Sequence, residues 1–270
     1  MLKKILFLGF TASILMFSNN LFAEINSLVP LKKPVLSKEE IQKKYDVIVL
    51  GVNSKGINWI SSELNPFNSK TPLLLLTKGL SINNNNYEVL VHKMNRLLKK
   101  QGIKETNISV AGGPCLAKGL ANKVHTSIVF ANSDIKIAKQ ISKLVSTDYY
   151  HVFTSDDVVG VETCAAIKNI FSMAVGASRG LCDSIASKEK NYLNTASALI
   201  KQSIHEMEIF VQHLKGKKET VKGLAGLGDL YVSSGGGRNA KMGSYIGEGL
   251  TFSEAKKTKM EKVTVEGADL

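Results

Sequence analysis

From Tyr45 onward the chain alternates short apolar runs with amphipathic stretches. Tyr45–Val52 is an unbroken apolar run with one aspartate, the pattern of a strand buried on both faces. A helix to about Leu64 follows it. A second apolar run covers Thr71–Thr77 and ends at Lys78-Gly79. The spacing then predicts an amphipathic helix over Tyr87–Gln101, with Asn83–Asn86 before it as a loop of biased composition. Ile108–Ala111 predicts a short strand ending at Gly112-Gly113-Pro114. Ser127–Ala131 predicts another, with a helix from Asp134, and Tyr150–Thr154 one more. Strands and helices in alternation predict a doubly wound sheet with parallel pairing, and ligands of such sheets lie at the carboxyl ends of the strands. Lys78 and Gly112–Pro114 fall at those ends.

Beyond residue 155 the period changes. Val158–Ser178 and Asn194–Leu214 predict long helices, with Ala198, Ile204 and Met207 on an apolar side. Gly223–Asp229 and Ser233–Asn239 are glycine-rich turns, the second leading into a helix toward Gly247. The expected fold class is therefore α/β: a partial Rossmann-like parallel sheet domain over residues 45–155, then an all-helical substrate domain over residues 156–270.

Residues 1–23 have two readings. Lys3-Lys4, an apolar stretch from Ile5 to Phe17 and Leu21-Phe22-Ala23 fit a secretory signal, the favoured alternative. Lys4–Gly9 also fits the first strand of a dinucleotide-binding unit, but of its G-x-G-x-x-G loop only Gly9 is present, with Thr11 and Ile14 at the other two positions. Residues 24–44 read as a linker containing Pro30, Lys32, Lys33 and Pro34, and ending in a capped helix from Ser37 with Glu40.

Composition narrows the chemistry. The cysteines Cys115, Cys164 and Cys182 are three in number with no CxxC pair, which argues against disulfides and a zinc site, so no metal is expected. The net charge of +12 comes from lysines scattered through helices, such as Lys99–Lys100 and Lys215–Lys218. With no arginine–aromatic cluster, a solvated surface fits better than a nucleic-acid interface.

Several of these segments, taken in order, resemble one family. Gly160-Val161-Glu162 followed by Ala166-Ile167-Lys168-Asn169, then Gly223-Leu224-Ala225-Gly226-Leu227-Gly228-Asp229-Leu230, then Gly237-Arg238-Asn239, are similar to the signatures of bacterial-type NAD(P)-dependent glycerol-3-phosphate dehydrogenases. Thr77-Lys78-Gly79-Leu80, Gly113-Pro114, Asn194 with Ala198-Leu199-Ile200 and Glu206-Met207, and Val265-Glu266-Gly267 also match. Against the family's pattern the N-terminal glycine loop is missing and the C-terminus is truncated.

The resemblance implies hydride transfer between sn-glycerol 3-phosphate and NAD or NADP, giving dihydroxyacetone phosphate and feeding glycerophospholipid synthesis in the cytoplasm. It implies Lys168 as the catalytic base, with Asp229 as the partner that tunes it. The implied substrate-binding set is Lys78, Gly113, Cys115, Lys168, Asn169, Asp229, Gly237, Arg238 and Asn239. Position 115 carries Ser or Thr in the family, and a thiol is the weaker donor. The implied cofactor contacts are Lys78, Ala117, Arg238, Thr264 and Glu266. The partner is a phosphorylated small molecule, with a homodimer allowed and neither nucleic acid nor stable membrane association expected. An inactive remnant that binds phosphorylated ligands without turnover is the alternative function. An exported binding protein and a β-hydroxyacid dehydrogenase are further readings; the Gly237-Arg238-Asn239 site argues against the last.

Overall fold

The structure, a computed structural model, describes residues 5–9, 45–64, 70–103, 106–185 and 192–265. Its main sheet has six strands in the order β1-β2-β3-β6-β7-β8: β1 Ile5–Gly9, β2 Val47–Gly51, β3 Leu73–Leu75, β6 Ile108–Gly112, β7 Thr126–Ala131 and β8 Tyr150–Ser155. The strands of the middle are apolar on both faces because both faces are covered. Ile48 and Leu50 of β2, with Leu73 and Leu75 of β3, join one apolar cluster. Val47, Val49 and Leu74 point the other way into a second cluster built on Phe130, Ile141 and Tyr150. Helices α1 (Ile57–Glu63) and α2 (Leu90–Lys100) supply the first face; α4 (Ile135–Val145) supplies the second.

Ile5–Gly9 is a strand paired in parallel with β2, Gly9 opposite Gly51. Of the two readings of that segment, this pairing is the one the first-strand reading expects. The rest of 1–23, the 24–44 linker and its Ser37–Glu40 cap lie outside the described residues.

Two expectations on the sheet are corrected. The Asn83–Asn86 loop is the tip of a hairpin between β4 (Leu80–Asn83) and β5 (Asn86–Val89), and α2 begins at Leu90, not Tyr87. Asn84 and Asn85 both hold positive φ, 50° and 60°, which a tight hairpin turn requires and asparagine tolerates. The sheet is not wholly parallel: β7 runs antiparallel to β6, with Gly112 opposite Val129. The connection between them contains one short helix, α3 (Ala117–Ala121), too little for the crossover that parallel pairing needs.

The second half is helical among the described residues: α5 (Val158–Ile185), α6 (Leu193–His213), α7 (Lys218–Lys222), a π-turn (Leu224–Gly228), α8 (Asp229–Ser234), α9 (Arg238–Gly247) and α10 (Phe252–Lys259). By length and composition α5 is apolar enough to cross a membrane, but its apolar window is 72% buried. It is the core helix, packed by α6, α8 and α9.

Helix α9 lies parallel to α5 at a distance only glycine allows. A Cβ on Gly176 would stand 2.0 Å from the Ala240 carbonyl oxygen, and one on Gly180 1.9 Å from that of Ser244. From the other side, Gly243 meets the Met173 carbonyl and Gly247 that of Ala177. This spacing brings the start of α9 beside the turns of α5 that follow Lys168.

The first turns of α5 join the two halves through carboxylates. Asp157 accepts from Gly160 N (2.9 Å), Lys217 N (2.9 Å) and Thr220 Oγ1 (2.6 Å), capping α5 and α7 together. Glu162, 4% exposed, accepts from Val91 N at 3.0 Å, where α2 leaves its first amides unpaired. Its Oε1 has no protein partner.

Burial pushes the Glu162 carboxyl up to about 8, against the opposing pull of the Val91 and Leu90 amides. A carboxyl raised by folding stabilises fully below its unfolded value, and that stabilisation fades as pH rises through about 8. Glu162→Gln is expected to keep the bond to Val91 and remove this slope. Unfolding free energies from urea titrations at pH 5 and pH 8 are expected to differ less in the variant than in the parent, by an amount on the order of a few kcal/mol. Equal slopes would refute the reading. Gly180→Ala is expected to lower stability by about 1–3 kcal/mol in the same assay, from overpacking against Ser244.

Candidate active site

The site begins where β3 and β6 end. After β3 the chain reaches Lys78 and then Gly79 at φ +135°, where a Cβ would press on Ser54 at 3.3 Å. After β6 it reaches Gly113 at φ +120°, so a side chain there would be strained whatever the space. The loop is wedged between the two halves. A Cβ on Gly112 would stand 2.6 Å from Val161 Cγ1 of α5, and one on Gly228 of the π-turn 3.5 Å from the Pro114 ring.

Into this junction three charges converge. Lys168 Nζ, on α5, donates to Asp229 Oδ1 and to Ser233 Oγ at 2.9 Å. Lys78 Nζ donates to Asp229 Oδ2 at 3.2 Å. Asp229 opens α8, and Ser233 lies one turn later on the same face. Lys168 is 5% and Asp229 3% exposed, whereas the Lys78 side chain keeps 37% of its surface in solvent.

Electrostatics separates the two lysines. Burial, then the nearby Lys78 charge, pushes Lys168 down to about 8, and Asp229 opposes both. A buried ammonium that carries its proton lightly can exchange it near neutral pH. Cys115 lies within the field of the same charges: burial pushes its thiol up, Lys78 pulls it down and Asp229 adds to the rise. The thiol is therefore held neutral, a poor nucleophile and a weak donor.

The structure brings Lys78, Gly113, Cys115, Lys168 and Asp229 together at the carboxyl edge of the sheet. Asn169, also buried, follows Lys168 on α5. Gly237 N donates to Ser233 O at 2.9 Å, so the glycine turn folds back onto the residue that accepts from Lys168. It delivers Arg238, exposed, and Asn239, 4% exposed, at the first turn of α9, with Gly237 as the extended cap residue. Ala117 opens α3, two residues past Cys115, and is half-buried. Thr264 is exposed next to Val265, which packs with Met242, Ala255 and Met260; no contact among the described residues ties it to the lysine pair. Glu266 lies outside the described residues.

Two participants escaped the sequence reading. Ser233 was legible only as part of a turn, although its spacing of four from Asp229 becomes a shared face once α8 is known to be helical. Arg179, three turns after Lys168 on α5, donates from Nη2 to Ser234 O at 3.0 Å and lies over the Tyr192 ring at 5.1 Å, bracing the turn that precedes Arg238.

Residues 31–138 match the model of the NAD-dependent glycerol-3-phosphate dehydrogenase N-terminus, and residues 157–270 that of its C-terminus. An NADP(+)-dependent glycerol-3-phosphate dehydrogenase from Archaeoglobus fulgidus is 29% identical over 217 residues, 80% of this chain and 63% of the relative. A glycerol-3-phosphate dehydrogenase [NAD(P)+] from Mycobacterium bovis is 34% identical over 215 residues, 77% of this chain and 58% of the relative. The chain thus spans about three fifths of the length of these relatives. In fold it is similar to the glycerol-3-phosphate dehydrogenase structures from Coxiella burnetii (TM-score 0.76, 23% identity, 99% of this chain and 86% of that one) and Plasmodium falciparum (TM-score 0.78, 19% identity, 99% and 83%). With both halves of the family's model matched in order, the chain belongs to the NAD-dependent glycerol-3-phosphate dehydrogenase family.

Proposed function

We propose that this chain oxidises sn-glycerol 3-phosphate to dihydroxyacetone phosphate, and reduces it back, with NAD or NADP as the hydride carrier. The observation that carries the reading is the Lys168–Asp229–Lys78 cluster at the carboxyl edge of the sheet, linked through Ser233 to Gly237, the cap of the Arg238–Asn239 helix start. Residues 45–155 serve the cofactor side and 156–270 the substrate side. Both ligands belong to the cytoplasm, which is where we place the activity. No observation supports the inactive alternative.

The substrate phosphate sits at the N-terminus of α9, where the helix dipole favours an anion and Arg238 adds a multidentate cation. The C2 hydroxyl then faces Lys168. Neutral Lys168 accepts the hydroxyl proton at Nζ, and Asp229 balances the ammonium that forms. Ser233 holds Nζ in line through its hydroxyl. Lys78, more exposed, attracts the anionic ligands and keeps the Lys168 proton loosely held. Asn169 and the Gly113–Cys115 loop complete the walls of the substrate pocket.

The nicotinamide end of a cofactor fits this edge: the parallel strands β2, β3 and β6 end here, and Gly113 turns at positive φ with no side chain to intrude. Bound NAD(P)+ supplies the hydride acceptor. Ala117 and Arg238 are the described residues we assign to its binding along with Lys78, and Thr264 and Glu266 complete the proposed set.

Titration of the purified chain with NADH and NADPH, followed by Trp59 fluorescence and paired with a glycerol 3-phosphate oxidation assay, tests the proposal. Saturable binding with turnover is expected; a folded chain that binds neither cofactor sinks it. Lys168→Ala is expected to lower kcat by about 10²–10⁴-fold, the usual worth of a general base, with little change in cofactor affinity. In the parent, oxidation is expected to rise with pH as Lys168 loses its proton, with a limb near 8. Arg238→Ala is expected to act mainly on KM for glycerol 3-phosphate, by about 10–100-fold, from the loss of charge-assisted bonds. An unchanged KM would remove Arg238 from the phosphate site.

A further inference from the structure

Outside the cluster of lysines, the chain places two imidazoles in register on neighbouring strands. His125 immediately precedes β7 and His151 is the second residue of β8. These strands are parallel, with Ser127 opposite His151, so His125, two residues before Ser127, is the diagonal neighbour of His151 on the same face. Both side chains are exposed.

The rings meet edge to edge. His125 Nδ1 and His151 Nε2 stand 3.1 Å apart, the centroids are 5.4 Å apart and the planes differ by 19°. Nitrogens so much closer than centroids, in nearly parallel planes, mean that one lone pair is aimed at the opposite ring nitrogen. An N–H···N bond puts a single proton between them, and which ring carries it depends on the tautomer.

That separation is the one two imidazoles adopt on a single first-row cation. With bonds of about 2.0–2.1 Å, two ligand nitrogens stand about 2.9 Å apart at a right angle and about 3.3 Å apart at the tetrahedral angle. A rotation of each ring by about 35–45° turns both lone pairs onto a common point. Both rings face solvent, so the outward nitrogens, His125 Nε2 and His151 Nδ1, are open to carry the proton when the facing nitrogens bind a cation. We infer that His125 and His151 form a two-imidazole site for a borderline divalent cation of the zinc, nickel or copper class, with water filling the other positions. No group of three or more His, Cys, Asp or Glu side chains suited to a metal occurs among the described residues, so the site is open and exchangeable rather than structural. It stands independently of the dehydrogenase reading.

The test uses the full chain without an affinity tag, labelled with ¹⁵N and titrated with zinc chloride, while long-range imidazole spectra report each ring. The chain has five histidines, so the assignment is direct. Saturable movement of the His125 and His151 signals is expected. His125→Gln and His151→Gln are each expected to weaken zinc binding at least ~10-fold, the least that follows even when a mere supporting partner of a metal ligand is lost. His205→Gln, on the distant α6, is expected to leave it unchanged. Imidazole signals that do not move, or zinc uptake that survives both single substitutions, would overturn the inference and leave an ordinary N–H···N bond.

Discussion

Asp229 is the constraint on which the two halves of the molecule agree. A carboxylate 3% exposed is costly to bury unless cations and hydrogen bonds replace its water. Here Lys168 reaches one oxygen from the helical half and Lys78 reaches the other from the end of β3. The carboxylate is therefore satisfied only when the sheet edge, α5 and α8 are docked together. The same docking creates the low, loosely held proton on Lys168, because burial and the Lys78 charge outweigh the attraction of Asp229. Packing and electrostatics here are one event, so the lowered Lys168 ammonium exists as such only in the assembled fold.

Helix α5 distributes that docking along its length. Its first turn is tied to α7 by Asp157, its second to α2 by Glu162, its third to α8 by Lys168, and its later turns to α9 by Gly176 and Gly180. The N-terminal half buries Val161, Cys164 and Ile167 against the sheet cluster. The C-terminal half replaces side-chain packing by backbone contact, and the carbonyls of Ala240 and Ser244 occupy the space a methyl would take. An apolar helix that reads as a membrane span by composition is thus apolar because most of it has protein around it.

How much of this was legible in the sequence depended on whether the signal was local. Runs such as Val47–Gly51 announce a doubly buried strand by composition alone, and Asp134 announces a cap that is present, accepting from Lys136 N. The hairpin at Asn84-Asn85 was missed because Leu80–Asn83 and Asn86–Val89 are partly exposed and carry no continuous apolar stripe. The reversal of β7 was missed because strand direction is decided by the connection, and the stretch after Pro114 gives no sign that its helix ends at Ala121. Lys168 and Asp229 are 61 positions apart, and no periodicity links them; only the resemblance to a family paired them in advance. Ser233 needed the helix first. Its partnership with Lys168 follows from α8 being helical, whereas the glycines around it read as a turn.

The reversal of β7 has a consequence for the chemistry of the edge. In a wholly parallel sheet only carboxyl ends of strands meet the ligand. Because β7 is antiparallel to β6 and β8 is parallel to β7, the amino ends of β7 and β8 join the same edge as the carboxyl ends of β2, β3 and β6. Burial, with a smaller contribution from Cys115, pushes the Tyr150 phenol up, which places the first residue of β8 near the loop after β6. The edge therefore presents two chemistries side by side: buried ammonium and carboxylate over β3 and β6, and exposed imidazole over β7 and β8. Burial separates them in function. The first group is held in fixed geometry and tuned by desolvation, whereas the second stays in water.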